Sequence, residues 1–313
     1  MKKTAVVLLN LGGPDSLDAV QPFLENLFND PDIFKLPFQK SLARYISKKR
    51  APKVVKHYET IGGKSPINKW TELQRQLLEV ALRKEYPNTD VFVAMRYWHP
   101  LTSETATKIE SGNYHKIILL PLYPHYSIST TGSSFNEWKR VYIGSVDTIY
   151  IDPYFDNHFY IQAINEKIDK TLLKFPERNR EDIHLVFSAH GTPVSYVKKG
   201  DPYSGHINKT IEAVMKERNE VYSLCYQSKV GPAKWLEPST ADKIKELAEK
   251  GRKNLLIIPI SFVSDHIETE YEIGVLYKKT AGKAGVENYM VMEGLNDSET
   301  FIKALIDVTK PYL

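Results

Sequence analysis

Short apolar runs rich in β-branched residues recur along the whole chain, and polar segments with helical periodicity separate them. Within each run the apolar residues are continuous rather than alternating, which is typical of strands buried on both faces of a sheet. The clearest helical segments are 68–87, 239–254 and 298–312. The pattern predicts eight strands connected by helices. The runs that predict them are 5–11, 91–97, 116–123, 146–152, 183–190, 221–228, 254–263 and 287–293.

The alternation of strands and helices indicates the fold class. A parallel strand is reached from its neighbour through a right-handed crossover, usually a helix, so the pattern predicts an α/β protein with parallel sheets. Eight strands divide into two sheets of about four. We expect a boundary between two domains near residues 123–153, with the C-terminal helix at 298–310 free to pack back on the first domain.

Composition and charge narrow the function classes. The chain has 313 residues, of which 42% are hydrophobic and 26% charged, values that are ordinary for a soluble globular protein. A net charge of +4 is too small to indicate nucleic-acid binding. The basic cluster at 47–58 is typical of a solvated helical face, and it leaves contact with an anionic ligand or a membrane surface open. The single cysteine, Cys225, excludes a disulfide framework and a four-thiolate metal site within one chain.

Two lysines and an apolar run stand near the start of the sequence, as they do in signal peptides. Here the run continues into Gly12, Gly13 and Pro14 instead of a small-residue cleavage site. No apolar run approaches the roughly 18 residues of a membrane span. We therefore predict a cytoplasmic protein.

A histidine stands at the last position of the fifth predicted strand, in the stretch FSAHGTP. In open α/β sheets ligands bind beyond the carboxyl ends of the strands, so residues at strand ends are the first candidates for a site. A lone histidine is more often structural than catalytic, but the place of His190 directly before Gly191 favours a function. Neutral imidazole accepts a proton near pH 7 and binds borderline metals such as Fe²⁺.

A series of carboxylates follows the seventh predicted strand. Asp265, Glu268 and Glu272 are spaced i, i+3 and i+7, which on a helix places all three on one face, and His266 joins them at the helix start. An exposed acidic helix is the structural alternative, and it accounts for Glu270. It does not account for like charges that follow the most apolar strand so closely. Such a series suits the transfer of cations or protons.

Aromatic residues are frequent near the same strand ends. Each one alone is typical of a core, but together around one cleft they would suit a large, flat, apolar ligand. The stretch LNLGGP lacks both the dinucleotide-binding and the P-loop glycine patterns, so a nucleotide site is not favoured. The aromatic residues in question are Tyr97, Trp98, Tyr123, Tyr126 and Trp235.

At these residues the chain resembles the ferrochelatases, the enzymes that insert Fe²⁺ into a porphyrin late in haem synthesis. Eight stretches match the family pattern in order, across most of the chain. They are LNLGGP, IGGKSPI, MRYWHP, YSISTTGSS, FSAHGTP, GDPY, YQSKVGPAKWLEP and SFVSDHIETEYEIG. The resemblance implies two Rossmann-like domains related by an approximate twofold axis, the class II chelatase fold. The implied domains are 1–150, with a porphyrin lip at 30–60 and the helix 298–313 packed back on it, and 151–297, with the catalytic histidine and the acidic helix.

The resemblance also implies roles for individual residues. His190 and Glu268 become the catalytic pair, on opposite faces of the porphyrin, and His190 accepts pyrrole protons or presents the metal. The implied metal-binding residues are His190, Glu268, Glu272 and Asp265. The implied porphyrin-binding residues are Leu11, Arg96, Tyr97, Tyr123, Trp235 and His266.

The implied reaction converts protoporphyrin IX and Fe²⁺ into protohaem, with iron as a substrate and no cofactor. Ile128 stands where cluster-bearing members have a cysteine, and the chain ends at Leu313 without their cysteine-containing extension, so no iron–sulfur cluster is expected. Leu11 stands where members acting on coproporphyrin carry a tyrosine-bearing loop, which favours protoporphyrin IX.

Other functions stay open from the sequence. A coproporphyrin ferrochelatase, or a chelatase that inserts cobalt or nickel into another tetrapyrrole, would share the fold. A haem-binding or solute-binding protein is the alternative from another class, and the acid–base pair argues against it. The sequence leaves open whether the protein is a monomer or a homodimer and whether it makes weak peripheral contact with a membrane.

Overall fold

The computed structural model describes residues 3–229 and 233–313, and the chain divides into two compact units. The first unit ends at Tyr154 and also includes Asn296–Leu313. The second unit is Phe155–Leu295. The C-terminal segment therefore belongs to the first unit, where its helix contacts the helix Ile67–Arg83 and the strand Tyr114–Pro121.

Each unit contains one four-stranded parallel sheet among the residues described. The first sheet has the order β2-β1-β3-β4 and the second has the order β6-β5-β7-β8. The predicted fold class, α/β with two four-stranded parallel sheets, is confirmed. The strands are β1 (Lys3–Asn10), β2 (Thr89–Met95), β3 (Tyr114–Pro121), β4 (Thr148–Tyr150), β5 (Ile183–His190), β6 (Val221–Gln227), β7 (Asn254–Ile258) and β8 (Asn288–Val291).

Helices connect the strands within each unit. Two π-helices interrupt the series: π1 (Ile128–Gly132) in the first unit and π2 (Glu268–Tyr277) in the second. The α-helices are α1 (Val20–Phe28), α2 (Gln39–Thr60), α3 (Ile67–Arg83), α4 (Thr102–Glu110), α5 (Ser133–Val141), α6 (His158–Leu172), α7 (Val194–Lys198), α8 (Tyr203–Met215), α9 (Thr240–Glu249), α10 (Lys278–Lys283) and α11 (Glu299–Thr309).

The strands β1 and β5 are interior strands of their sheets, and their sequences explain why. Each pairs with a neighbouring strand along both of its edges. Side chains on both of its faces are buried. Seven of the eight positions are buried in each strand, and the exception in β5 is its last residue, His190. Continuous apolar sequence is what such a strand requires, because helices cover both faces of the sheet.

In both units the third strand along the chain is followed by a π-helix and then by an α-helix. β3 leads into π1 and then α5, while β7 leads into π2 and then α10. The sequence Ile-Ser-Thr at 128–130 resembles Ile-Glu-Thr at 267–269, although π1 begins at its isoleucine and π2 begins one residue after its own. In this sequence match Ser129 corresponds to Glu268, so the two segments carry different chemistry.

Helix α2 covers most of residues 30–60, where the resemblance implies a porphyrin lip. It runs for 22 residues with Pro52 inside it, and Lys48, Lys49 and Arg50 are exposed. The basic cluster is thus a solvated helical face. Among the described helices, α2 included, none has both the length and the apolar character needed to cross a bilayer.

Candidate active site

The backbone at the end of β5 is held by side chains from three segments. The His190 N–H donates to Ser261 Oγ (2.8 Å), and the Tyr203 hydroxyl donates to the His190 carbonyl (3.0 Å). The Gly191 N–H donates to the Gln227 carbonyl (2.8 Å). A β-carbon at Gly191 would lie 2.7 Å from the same carbonyl oxygen, so another residue type could not approach β6 this closely. These contacts fix the direction in which the His190 side chain leaves the strand.

A carbonyl oxygen determines which ring nitrogen of His190 is reactive. Nδ1 lies 2.7 Å from the Gly191 carbonyl oxygen. Since a carbonyl only accepts hydrogen bonds, Nδ1 must carry a proton. Nε2 is therefore the atom that exchanges a proton or binds a metal, as in many sites where a second hydrogen bond fixes the tautomer.

Glu268, the first residue of π2, lies beside two histidines, His190 at the end of β5 and His266 just before π2. Its Oε1 is 3.5 Å from His190 Nε2, and its Oε2 is 3.6 Å from His266 Nε2. His266 is buried, and its ring packs edge-on against Phe262 at 4.2 Å between centroids. The Phe262 ring also contacts His190 at 6.1 Å between centroids. One carboxylate thus bridges two imidazoles beside an aromatic ring.

Protonation of this pair follows from burial and from the short distance. Burial disfavours the charged imidazole, but the charge of Glu268 and its hydrogen bond outweigh this and raise the pKa of His190 to about 9. Burial likewise opposes the carboxylate, but His190 outweighs it and holds the pKa of Glu268 well below its usual range. In the free protein the two residues form an imidazolium–carboxylate ion pair.

The expectation that His190 and Glu268 lie on opposite faces of the porphyrin is wrong for this structure. A flat ring needs roughly 3.5 Å of separation from the atoms on each of its faces. The 3.5 Å distance between His190 Nε2 and Glu268 Oε1 leaves no space for a macrocycle between them. A porphyrin that contacted both residues would therefore have them on one side of the ring.

Glu272 is held apart from this pair by its own hydrogen bonds. It accepts from the Ser228 N–H (3.0 Å), from Ser228 Oγ (2.5 Å) and from the Tyr277 hydroxyl (2.6 Å). Ser228 adopts a left-handed backbone conformation with φ of 65°, which aims its N–H and its hydroxyl at one carboxylate. Burial, and then the charge of Glu272, raises the pKa of Tyr277, so the tyrosine stays a donor.

Asp265 does not continue the series on a helical face, because π2 begins after it at Glu268. Its carboxylate accepts from the Gly294 N–H (3.1 Å) and from Thr269 Oγ (3.0 Å). Within residues 3–229 and 233–313, no three His, Cys, Asp or Glu side chains come close enough together to hold a metal ion. The predicted metal set His190, Glu268, Glu272 and Asp265 is therefore not gathered in this structure.

Three of the predicted porphyrin-binding residues meet at the carboxyl end of the first sheet. The Tyr97 N–H donates to the Leu11 carbonyl (3.0 Å), and the Arg96 N–H donates to the Asn10 carbonyl (2.8 Å). The Tyr97 side chain is almost fully buried, at 1% exposed, so it does not line an open surface. Tyr123 is partly buried, and burial raises its pKa.

Trp235 belongs to the second unit and lies just beyond the end of β5 that carries His190. It pairs with Pro193 in a short antiparallel bridge and lines a cavity of about 570 Å³ together with Gly191 and Gln227. Residues 230–232 of the predicted stretch YQSKVGPAKWLEP lie outside the described residues.

Four supporting residues did not stand out from the sequence: Tyr203, Ser228, Ser261 and Tyr277. The first three lie within the stretches GDPY, YQS and SFVSDH, so their motifs were visible although their roles were not. Tyr277 carried no signal, because its contact with Glu272 depends on the π-helical turn.

Comparison with known proteins gives consistent matches over the whole chain. The family model described as ferrochelatase matches residues 3–313. A protein named ferrochelatase from Geotalea daltonii is 47% identical over 99% of this chain and 98% of its own length. One of the same name from Aquifex aeolicus is 45% identical over 98% of this chain and 99% of its own length.

Solved structures share the fold at low sequence identity. SirB from Bacillus subtilis with Fe³⁺ has a TM-score of 0.54 and 12% identity, covering 98% of this chain and 94% of that one. CbiX, described as the terminal enzyme of sirohaem biosynthesis in denitrifying bacteria, has a TM-score of 0.54 and 11% identity, covering all of both chains. These likenesses concern the fold alone.

Proposed function

The chain belongs to the ferrochelatase family, and we propose that it inserts Fe²⁺ into protoporphyrin IX, giving protohaem and releasing two protons. The porphyrin and ferrous iron are its substrates. The observation that carries the proposal is the contact between His190 and Glu268 at the carboxyl end of β5. It supplies a proton acceptor and a hard oxygen donor at the sheet edge where α/β proteins bind ligands.

Metal insertion requires that two pyrrole N–H groups lose their protons. His190 Nε2 receives them one at a time and releases the first before it accepts the second, because Nδ1 is committed to the Gly191 carbonyl. His190 carries a proton in the free protein, so that proton must leave before the first transfer. This proton passes through Glu268, which contacts both His190 and His266.

Iron must also lose water before it enters the ring. Glu268 offers Fe²⁺ a carboxylate oxygen, and in the alternative in which His190 presents the metal instead of accepting the protons, its Nε2 completes the donor pair. Glu272, the next carboxylate along π2, would receive protons or cations. Asp265, the fourth predicted metal-binding residue, accepts hydrogen bonds from Gly294 and Thr269, which favour a structural role.

The first unit supplies most of the proposed porphyrin-binding residues. Leu11, Arg96, Tyr97 and Tyr123 belong to it, while Trp235 and His266 belong to the second unit. We propose that the first unit carries the porphyrin lip at 30–60 and the second unit carries the chemistry. Binding energy from the ring periphery would supply the strain that bends a pyrrole out of plane, of order 1–5 kcal/mol.

Membrane contact and location complete the proposal. Phe38, which is 89% exposed, precedes the basic face of α2, and an exposed aromatic beside lysines suits weak binding to an anionic membrane surface. We propose a cytoplasmic location, with the protein free or weakly attached. Flotation with vesicles of phosphatidylcholine alone and with added phosphatidylserine tests this, and Phe38→Ala should lose any binding to the anionic vesicles.

An anaerobic assay with purified protein, protoporphyrin IX and Fe²⁺ tests the function, with loss of porphyrin fluorescence as the readout. Rapid loss supports it, and loss without added iron–sulfur or other cofactor supports the prediction that none is needed. Faster turnover of coproporphyrin III would reassign the substrate, and preference for Co²⁺ would reassign the metal. Tight haem binding without any insertion would favour a haem-binding protein.

A further inference from the structure

Strand β5 extends further at its carboxyl end than its neighbour β7. It pairs with β6 as far as His190, opposite Gln227, whereas its pairing with β7 stops at Phe187, opposite Ile258. β7 ends there because the next residue is Pro259, which has no N–H to donate to a ladder. The end of β5 on this edge therefore needs other partners for its backbone groups.

Two hydroxyl groups take the place of the missing ladder bonds. The register of β5 and β7, continued by three residues, places Ser261 opposite His190. Ser261 accepts the His190 N–H with its side-chain oxygen (2.8 Å), where a strand would use a backbone carbonyl. The Tyr203 hydroxyl donates to the His190 carbonyl (3.0 Å), where a strand would supply an N–H. Both backbone groups of His190 are thus satisfied without a strand.

The two hydroxyls also bond to each other, and the bonds close a ring. Ser261 Oγ and the Tyr203 hydroxyl oxygen are 2.5 Å apart. The Tyr203 hydroxyl has one proton, which it donates to the His190 carbonyl, so from Ser261 it accepts. The ring therefore runs in one direction, from the His190 N–H through Ser261 and Tyr203 back to the His190 carbonyl. Hydrogen bonds in such a series strengthen one another, so the loss of one hydroxyl weakens the other bonds.

The sequence GDPY brings the Tyr203 hydroxyl to this point. Gly200 has a φ of 83° and turns the chain just after α7. Asp201 Oδ1 accepts from the Tyr203 N–H (2.9 Å), and α8 begins at Tyr203, directly after Pro202. The tyrosine is buried. A helix that starts on a buried tyrosine gives the hydroxyl a defined position.

The ring holds one end of the peptide group that joins His190 to Gly191. The carbonyl of this peptide accepts from Tyr203, and its N–H donates to the Gln227 carbonyl (2.8 Å). The next carbonyl, that of Gly191, accepts from His190 Nδ1 (2.7 Å). Because the peptide group is planar, fixing both of its ends also restrains the start of the next one, and so supports the bond to Nδ1.

We infer that Tyr203 and Ser261 are positioning residues for His190: their ring of hydrogen bonds replaces the missing end of β7 and keeps Nδ1 on the Gly191 carbonyl, so that Nε2 stays directed at Glu268. The inference rests on the proposed function and deepens it. The two residues act on the chemical step through the placement of Nε2, because a misplaced acid–base group loses most of its effect. They leave the affinity for porphyrin and iron unchanged.

Tyr160 offers a matched control in the same unit. Its side chain is buried as well, and its hydroxyl donates to the carbonyl of Ile260, the residue before Ser261 (3.4 Å). Tyr160→Phe thus removes a buried tyrosine hydroxyl from the same segment but not from the ring. Ser261→Ala and Ser261→Thr form a second comparison, because threonine keeps the hydroxyl.

The experiment combines an NMR signature of His190 with insertion kinetics, in wild type, Tyr203→Phe, Ser261→Ala, Ser261→Thr and Tyr160→Phe. At pH 7, ¹H–¹⁵N spectra of the histidine rings, recorded without porphyrin or iron, report solvent exchange of the His190 Nδ1 proton. This exchange should be about fivefold faster in Tyr203→Phe and Ser261→Ala, as expected for the loss of one hydrogen bond. Their kcat should fall about tenfold, with the KM for each substrate within about twofold of wild type. Ser261→Thr should recover most of the rate, and Tyr160→Phe should lower only the melting temperature.

Three results would overturn the inference. Nδ1 exchange in Tyr203→Phe equal to that in Tyr160→Phe would mean that the ring is structural only. A raised KM with unchanged kcat would place Tyr203 in substrate binding. Equal rates in Ser261→Thr and Ser261→Ala would show that the serine hydroxyl does not matter. If Tyr203→Phe does not fold, the two Ser261 variants carry the test. The spectra need no substrate, so an inactive wild type would refute the proposed function and not this inference.

Discussion

Strand β5 has a histidine near each end, His184 and His190. The two side chains differ in their polar partners and in the direction in which their pKa is shifted. His184, at the amino end, lies with its Nε2 2.9 Å from Ser223 Oγ, and burial, followed by the charges of Arg252 and Lys243, lowers its pKa to about 4. At the carboxyl end, Glu268 overcomes burial and raises the pKa of His190 to about 9. One strand therefore holds a neutral and a charged imidazole at the same pH.

From this comparison we expect position in the sheet to separate structural from functional residues of the same type. Two ion pairs at the ends of β2 repeat it: Asp90 pairs with Arg83 at the amino end, and Arg96, just past the carboxyl end, pairs with the buried Asp30. In a parallel sheet all carboxyl ends lie along one edge, where loops of variable sequence gather. Changes at amino ends should therefore affect folding, and changes at carboxyl ends should affect activity.

The largest effect is expected from removing one histidine or the other. His190→Ala should slow iron insertion by about 10³-fold or more, since a positioned acid–base group contributes about 10²–10⁴-fold. His184→Ala should retain turnover and lose thermal stability. Stopped-flow porphyrin fluorescence and thermal unfolding of both variants check this. Near-normal turnover in His190→Ala would remove that residue from the mechanism.

The next largest effect distinguishes the carboxylates of π2. Glu268→Gln should slow insertion by about 10²-fold because it removes the partner of His190, and Glu272→Gln by about tenfold because Glu272 lies further from it. Glu270→Gln, on the same helix, is the matched control and should stay near wild type. Greater damage from Glu272→Gln than from Glu268→Gln would reverse the assigned order.

Acid stability should depend on His184. Its pKa is about 4 in the folded protein against 6.5 in the unfolded chain, so between these values the unfolded state binds more protons. The free energy of unfolding should therefore fall as pH drops from 6.5 to 4, by on the order of 3 kcal/mol in total. Urea unfolding across this range measures it. His184→Gln should flatten the dependence, and an unchanged slope would contradict the assignment.

His190 should also make the free energy of unfolding depend on pH, with the opposite sign and in a different pH range. Its pKa is raised on folding, so its contribution to stability is complete below pH 6.5 and is lost as pH rises towards 9. The same unfolding series, extended to alkaline pH, should show this loss in wild type and its absence in His190→Ala.

The smallest effect concerns the support of Glu272. Tyr277→Phe removes one hydrogen bond to that carboxylate, a loss of about 1 kcal/mol or roughly fivefold in rate. Tyr289→Phe is the matched control, because Tyr289 donates to the Ile273 carbonyl of the same helix and touches no carboxylate. Equal kinetic effects of the two substitutions would show that Tyr277 serves packing only.

The sequence predicted the sheets well because their signal is local. Each of the eight predicted runs overlaps a strand, although β1, β2 and β3 begin two residues before their runs, and β1 and β5 are as continuously apolar as their double coverage requires. The place of His190 was also readable, since a strand end before a glycine is defined by neighbouring residues. The role of Gly191 followed only from the structure, because its close approach to Gln227 crosses between strands.

The geometry of the acidic segment could not be read from spacing. An i, i+3, i+7 pattern assumes an α-helix, whereas the chain forms a π-helix with i→i+5 hydrogen bonds that begins at Glu268 and leaves Asp265 outside. The resemblance implied that Tyr97 contacts porphyrin, but its hydroxyl is buried and donates to Asp30, which is far away in sequence. Both differences arise from contacts between distant segments.

A ¹⁵N-histidine NMR titration of the metal-free protein tests the central claim most directly, because it reports both histidines of β5 in one sample. The account predicts that His190 titrates near pH 9 with Nδ1 protonated throughout, that His184 titrates near pH 4, and that Glu268→Gln lowers the pKa of His190 alone. Titration of both residues near 6.5, or a His190 pKa unchanged in Glu268→Gln, would contradict it.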